Sequence, residues 1–317
     1  MTKTTTLENV INAVRQDSIN HFDEVMPVHE MEFDSLKQMS ISGKQVDVAP
    51  TAQRLLSNRL RVPYSYLSRC PTDLQASNLN FWIEQERQRR DTFFCRFDGS
   101  TLRAVFTERY KPLDNMEILS QLIEQGFNHN LKVQYSLDHG MFLLKIPEFE
   151  KAFGVNSGNG FFDEVVPGIA FSNSEVGLIA FSIESFFYRL VCTNGLISVA
   201  KAKTARFKHI SSRGLDNFPE ALSAVIEGSS RNQEDFKLSC QSHVDDPFNS
   251  IDVFSRRFGL SQNEADIVKQ SFEQEPGNTL FHIINAFTAS AKVEGLATAD
   301  VYKFEKAGGQ ILSLVKS

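Results

Sequence analysis

The sequence predicts an α+β protein: a mostly antiparallel β-sheet built from hairpins, flanked by helices, with a helical C-terminal third. Three observations carry this. Asp98-Gly99, Asp138-His139-Gly140 and Asn194-Gly195 are turn signals set between runs of aromatic and β-branched residues. Phenylalanine is abundant, with 27 residues, as aromatic-rich strands require. After about residue 210 the apolar spacing changes from the period of a strand to that of a helix. The resulting division is an α+β body over 1–210 and a helical region over 211–317, packed on the same body rather than hung from a linker.

Leu7, Val10, Ile11 and Val14 recur at helical spacing and predict an opening amphipathic helix. Val28 to Asp34 and Gln38 to Val48 read as extended, turning at Ser42-Gly43. Ala52, Leu55, Leu56 and Leu60 mark a short helix, Pro63 opens a second, and a third carries Leu74, Leu79, Trp82 and Ile83. Asn115 is placed to cap a helix through Met116, Leu119, Leu122 and Ile123, stopped by Gly126. Lys132 to Leu137 and Met141 to Ile146 make a hairpin, and Gly154 to Gly160 reads as a flexible loop. In the last third, Asp216-Asn217-Phe218-Pro219 and the Ser261/Glu264 capping box announce helices, followed by others through Leu280 to Phe287 and Val301 to Val315.

The centre of the fold is the stretch from Gly168 to Ile210. With Asn194-Gly195 as a two-residue loop, Thr193 faces Leu196, Cys192 faces Ile197, Leu190 faces Val199 and Tyr188 faces Lys201. Tyr188, Leu190, Cys192, Ile197 and Val199 then form the core face, and Arg189 lies among smaller side chains on the other. The same logic at Asp98-Gly99 sets Arg96 opposite Thr101 and Phe94 opposite Arg103, and continued alternation puts Arg109 on that arginine face.

The 317-residue chain has the composition of a globular protein, and its net charge of −6 argues against binding nucleic acid through bulk charge. Ten arginines between Arg54 and Arg109 nevertheless fall in a window with few acids. Four scattered cysteines form no CxxC pair, the opening MTKTTTLENV lacks an apolar signal core, and no run is long enough to span a bilayer. These features point to a cytoplasmic protein without a membrane partner.

Several stretches together resemble a known family: LRAVFTERYKPLDN (Leu102 to Asn115), SNSEVG (Ser172 to Gly177), YRLVCTNGL (Tyr188 to Leu196) and TLFHIINAFT (Thr279 to Thr288). They are similar to a bacterial family of phage- and plasmid-like proteins whose defining domain has no known function. The resemblance implies carriage on mobile elements and supplies no catalytic or binding residue.

Catalytic motifs are missing from the sequence. There is no GxSxG elbow, no P-loop and no GxGxxG, and the glycines at 154, 158 and 160 fit none of these. His243-Val244-Asp245-Asp246 is better read as a solvated loop than a metal site, and Cys192 as a buried thiol rather than a partner of His209. No catalytic residue, metal or cofactor is indicated. Basic residues interleaved with aromatics remain: Arg96, Arg103, Arg109 and Arg189 on the sheet, with Lys201, Lys203, Arg206 and Lys208 in the following tail. A guanidinium on a sheet face needs water, a carboxylate or a phosphate. Structural pairing with acids such as Glu108, Glu175 and Glu184 competes with contact to a phosphate backbone. The leading function is a non-catalytic nucleic-acid-associated factor, such as a single-strand DNA-binding or annealing protein. The alternative is an interaction module for a host protein, an enzyme with an unrecognised site ranks last, and self-association is compatible with each.

Overall fold

A computed structural model describes residues 3–156, 162–189, 194–197, 205–207, 215–229 and 233–315. The chain opens with β1 (Lys3–Thr6) and α1 (Leu7–Asp17). The Thr6 hydroxyl accepts the Asn9 N–H at the helix start, and the expected stripe of Leu7, Val10, Ile11 and Val14 is the buried face. Strands β2 (His21–Pro27), β3 (Met31–Phe33), β4 (Gln38–Ile41) and β5 (Lys44–Val48) follow. Helices α2 (Pro50–Arg59), α3 (Tyr64–Leu67) and α4 (Thr72–Arg87) lead into β6 (Thr92–Asp98) and β7 (Thr101–Phe106).

Among the described residues these six strands form the smaller sheet, ordered β2-β6-β7-β5-β4-β3 and antiparallel except where β5 meets β7. Leu56 of α2 and Leu79 and Ile83 of α4 pack with Phe93 and Leu102 to form its core. Burying each such side chain contributes roughly 1.5–3 kcal/mol relative to exposure.

The larger sheet begins after α5 (Asn115–Glu124). Its remaining strands are β8 (Lys132–Leu137), β9 (Phe142–Pro147), β10 (Phe153–Asn156), β11 (Phe162–Asn173), β12 (Phe181–Arg189), β13 (Asn194–Ile197) and β14 (Ala205–Phe207). The order is β1-β8-β9-β11-β12-β13, with β10 beside β11 and β14 beside β12. Helices α6 (Phe218–Ser229), α7 (Gln233–Gln241), α8 (Pro247–Arg257), α9 (Gln262–Gln274), α10 (Leu280–Ser290) and α11 (Thr298–Leu312) complete the chain. Both faces of the larger sheet are covered. Leu144, Ile169, Phe171, Phe181 and Ile183 pack with α1, α5 and α6. Leu143, Ala170, Phe186 and Ile197 pack with α10 and α11 through Ile284, Phe287, Phe304 and Ile311. The architecture is α+β with two mostly antiparallel sheets and a helical C-terminal region.

Several expectations are corrected. Asn194-Gly195 does not form the hairpin loop; both residues lie within β13, with Arg189 opposite Asn194, Tyr188 opposite Gly195 and Phe186 opposite Ile197. The slip is an even number of residues, so Tyr188 and Ile197 still share a face. Arg189 is not on a half-polar face, because β12 is buried nearly throughout its length. In the β6–β7 hairpin Gly99 takes a positive φ of 52°, so Gly99-Ser100 is the turn and Asp98 faces Thr101. A bulge after Arg96 then sets Arg96 opposite Ala104. Strand β7 ends at Phe106, so Arg109 does not follow its alternation. The segment expected as a loop from Gly154 instead starts as β10, paired with β11. The cap of α5 is Asp114 rather than Asn115, and the Asn115 N–H donates to Glu175 Oε1 at 2.9 Å. Among the described residues no helix is long and apolar enough to cross a membrane.

Candidate functional site

The bulge on β6–β7 aims two of the expected arginines inward. Arg96 is 3% exposed. Its Nε donates to Asp23 Oδ1 at 2.8 Å, one Nη donates to the Glu175 carbonyl at 2.9 Å, and the other reaches Asp114. Burial opposes its charge, but Asp114 and Asp23 outweigh that and hold its pKa above the ordinary value. Arg103 donates to Glu175 Oε2 at 3.0 Å, and the Tyr110 hydroxyl donates to the Glu175 carbonyl at 3.1 Å. Glu175, from the turn between β11 and β12, therefore fastens the smaller sheet to the larger one. Arg96 and Arg103 do converge, but on Glu175, Arg96 at its backbone carbonyl and Arg103 at its carboxylate, rather than on a wet face.

Arg189 is also enclosed. Its guanidinium grips Glu275 through two bonds of 2.7 and 2.6 Å, donates to Asp163 Oδ2 at 2.7 Å, and lies 5.2 Å from the Phe281 ring centroid. This bidentate geometry suits arginine rather than lysine and ties β11 and β12 to the end of α9. Nearby, burial pushes the Cys240 thiol up to about 11 and holds His282 below its ordinary value.

The third buried network is one that no sequence motif marks. Lys145 pairs with Glu305, while Glu184 accepts the Tyr302 hydroxyl at 2.7 Å and the Lys306 ammonium at 3.0 Å. Cross-strand register places Lys145, Ala170 and Glu184 in one row facing α11. Exposed Arg206 lies opposite Ser182 and so shares that side of the sheet. Lys201, Lys203 and Lys208, like Cys192 and His209, lie outside the described residues. His243 and Asp245 are exposed and 3.3 Å apart, and among the described residues no three metal-ligating side chains cluster.

Arg109 alone of the expected sheet arginines is exposed. It lines a cleft of about 480 Å³ with Arg89, Arg90, Asp91, Thr92, Thr107 and Glu108. Pro50 to Thr72 contains Arg54, Arg59, Arg61 and Arg69 and no acid, and Arg54, Arg61 and Arg69 are exposed. Large apolar side chains also stand in water on the helices of this stretch and the next: Tyr66 on α3, and Leu74, Phe81 and Trp82 on α4. On a helix, positions 74, 81 and 82 fall on one face, opposite the buried Leu79 and Ile83.

Residues 103–297, more than half of the chain, match the family model of a domain of unknown function, DUF932. The chain belongs to the DUF932 family. No curated protein and no solved structure matches it. The DUF932 region contains both partners of the Arg103–Glu175 and Arg189–Glu275 pairs, so Arg103, Glu175 and Arg189 supply internal ties within it. Exposed Arg54, Arg61, Arg69 and Arg89 precede the DUF932 match.

Proposed function

We propose that this DUF932 protein is a non-catalytic nucleic-acid-associated factor of a phage- or plasmid-like element, acting in the cytoplasm by binding or annealing single-stranded DNA. The contact surface we assign is the helical side of the smaller sheet: Arg54, Arg61 and Arg69 for phosphates, Tyr66, Phe81 and Trp82 for bases. One observation carries this reading: the acid-free run from Pro50 to Thr72 exposes three arginines and Tyr66 just ahead of α4, whose exposed face carries Phe81 and Trp82. Single-strand binders need that combination, a cationic track for the backbone and π faces on which any base stacks. A net charge of −6 requires such contact to be local. Fluorescence anisotropy with a labelled oligo-dT tests the proposal. Affinity should fall steeply as salt is raised, and by about tenfold or more in an Arg54→Ala/Arg61→Ala/Arg69→Ala variant. Wild-type affinity in that variant would remove the assigned surface.

A second reading, docking of a host protein, is favoured by β2. Among the described residues this edge strand is paired on one side only, and Phe22 and Val25 are exposed on it. A nuclease-resistant complex abolished by Val25→Lys would support that reading.

A further inference from the structure

We propose that the cleft between the end of α4 and strands β6–β7 is a seat for one phosphate group, held by Arg89, Arg90 and Arg109 with the hydroxyl of Thr107. The inference deepens the nucleic-acid reading and rests on it for what carries the phosphate, though not for the phosphate itself.

Three arginines from two separate segments converge here: Arg89 and Arg90 just past α4, and Arg109 just past β7. Behind them, Phe93 is fully buried and flanked by two guanidiniums, with Arg59 5.5 Å and Arg90 5.4 Å from its ring centroid. Glu86 is the carboxylate they share. It pairs with Arg90, lies 3.9 Å from Arg89, and its field also reaches Arg59. Burial and the neighbouring Arg90 charge both hold the Arg59 pKa below its ordinary value, and Arg59 Nε finds no acceptor among the described residues. At the mouth, Glu108 accepts the Thr92 hydroxyl, and Asp91 is exposed. Three guanidiniums and two carboxylates, Asp91 and Glu108, thus line the cleft, leaving one positive charge, which one phosphodiester neutralises.

The approach to the cleft fits a strand. The exposed face of α4 carries Leu74, Phe81 and Trp82 and runs toward Arg89. Trp82 precedes Arg89 by seven residues, about 10 Å along a helix axis, so a base on the indole leaves a nearby phosphate within reach of the arginines.

Inorganic phosphate and oligo-dT are the probes, applied to the full chain and to Arg89→Ala/Arg109→Ala, both exposed positions whose truncation spares the core. With ionic strength matched by sodium chloride, phosphate should raise the wild-type Tm by about 2 °C or more and leave the double variant unmoved. Oligo-dT affinity should drop about fivefold in the variant, and the slope of log K against log salt should shrink by about 0.7 for each phosphate no longer neutralised. No phosphate-specific rise over chloride in the wild type overturns the seat. A phosphate-specific rise with unchanged oligo-dT affinity overturns nucleic acid as its carrier. If Arg54→Ala/Arg61→Ala/Arg69→Ala abolishes oligo-dT binding while Arg89→Ala/Arg109→Ala changes neither readout, the nucleic-acid surface stands and the seat falls.

Discussion

Lys145 on β9 and Glu305 on α11 form an ion pair across the seam between the larger sheet and the last helix, 1% and 3% exposed respectively. Gly195 of β13 lies against this pair, and a Cβ there would come within 2.8 Å of both Glu305 Oε1 and Lys145 Nζ. Both atoms are the far ends of long side chains, but each is buried and holds the other, so any shift disturbs the pair. Gly195→Ala should therefore destabilise the protein by about 3 kcal/mol, combining overpacking with strain on a buried pair. Urea unfolding measures it, and an unchanged midpoint would show that the pair yields freely.

The same pair carries a second expectation. Burial raises the Glu305 pKa although Lys145 opposes the shift, so desolvation outweighs the attraction that Glu305 gains. Removing one partner leaves a lone buried charge: Lys145→Met or Glu305→Leu alone should cost about 3–5 kcal/mol. The double variant should recover most of that loss, since two apolar side chains of similar bulk need no solvation. A double-mutant cycle in urea decides it, and additive losses would refute the account.

Arg103 and Arg189 should behave as structural residues. Each is enclosed with carboxylates from a distant segment, Arg103 with Glu175 at 72 positions and Arg189 with Glu275 at 86. Arg103→Ala should lower stability by about 3 kcal/mol or more by stranding Glu175, and Arg189→Ala should do likewise. Oligo-dT affinity of the folded fraction should remain that of the wild type. A selective loss of binding without loss of stability would return these arginines to a ligand-facing role.

Sequence legibility follows the range of the forces. Helix α1 and the β8–β9 hairpin depend on neighbours within a few residues, and their stripe and turn signals are visible in the chain. Asn194-Gly195 has the dipeptide of a tight turn, yet Gly195 answers to Glu305, more than a hundred positions away, so the local signal points to the wrong register. Arg96, Arg103 and Arg189 stand out in the sequence because sheet guanidiniums need partners. Nothing in a linear pattern says whether the partner is a phosphate or an acid brought in by folding. Lys145, Glu184 and Glu305 escape a sequence reading for the same reason: each looks like an ordinary surface charge until the strand row and α11 are placed together.

His282 sets a pH response. It is 3% exposed, its Nδ1 lies 2.8 Å from the Thr279 hydroxyl, and its Nε2 has no partner among the described residues. Burial holds its folded pKa below the ordinary 6.5, against the Glu275 charge and with a smaller contribution from Arg189. The unfolded chain therefore takes up this proton first as the pH falls. Stability from His282 is complete above about pH 6.5 and is lost below it, by about 1.4 kcal/mol per pH unit at most, until the folded pKa is reached. His21, also lowered by burial and by Arg103, adds to the same slope. His282→Asn keeps a polar group near Thr279 without the titration. Its Tm should fall less than the wild type's as the pH is lowered from about 7.5 to about 5.5, and combining it with His21→Asn should flatten the profile further. Parallel profiles for the wild type and His282→Asn would mean that the folded protein accommodates the charged imidazole, contrary to its enclosure between Gly277, Phe281 and Thr279.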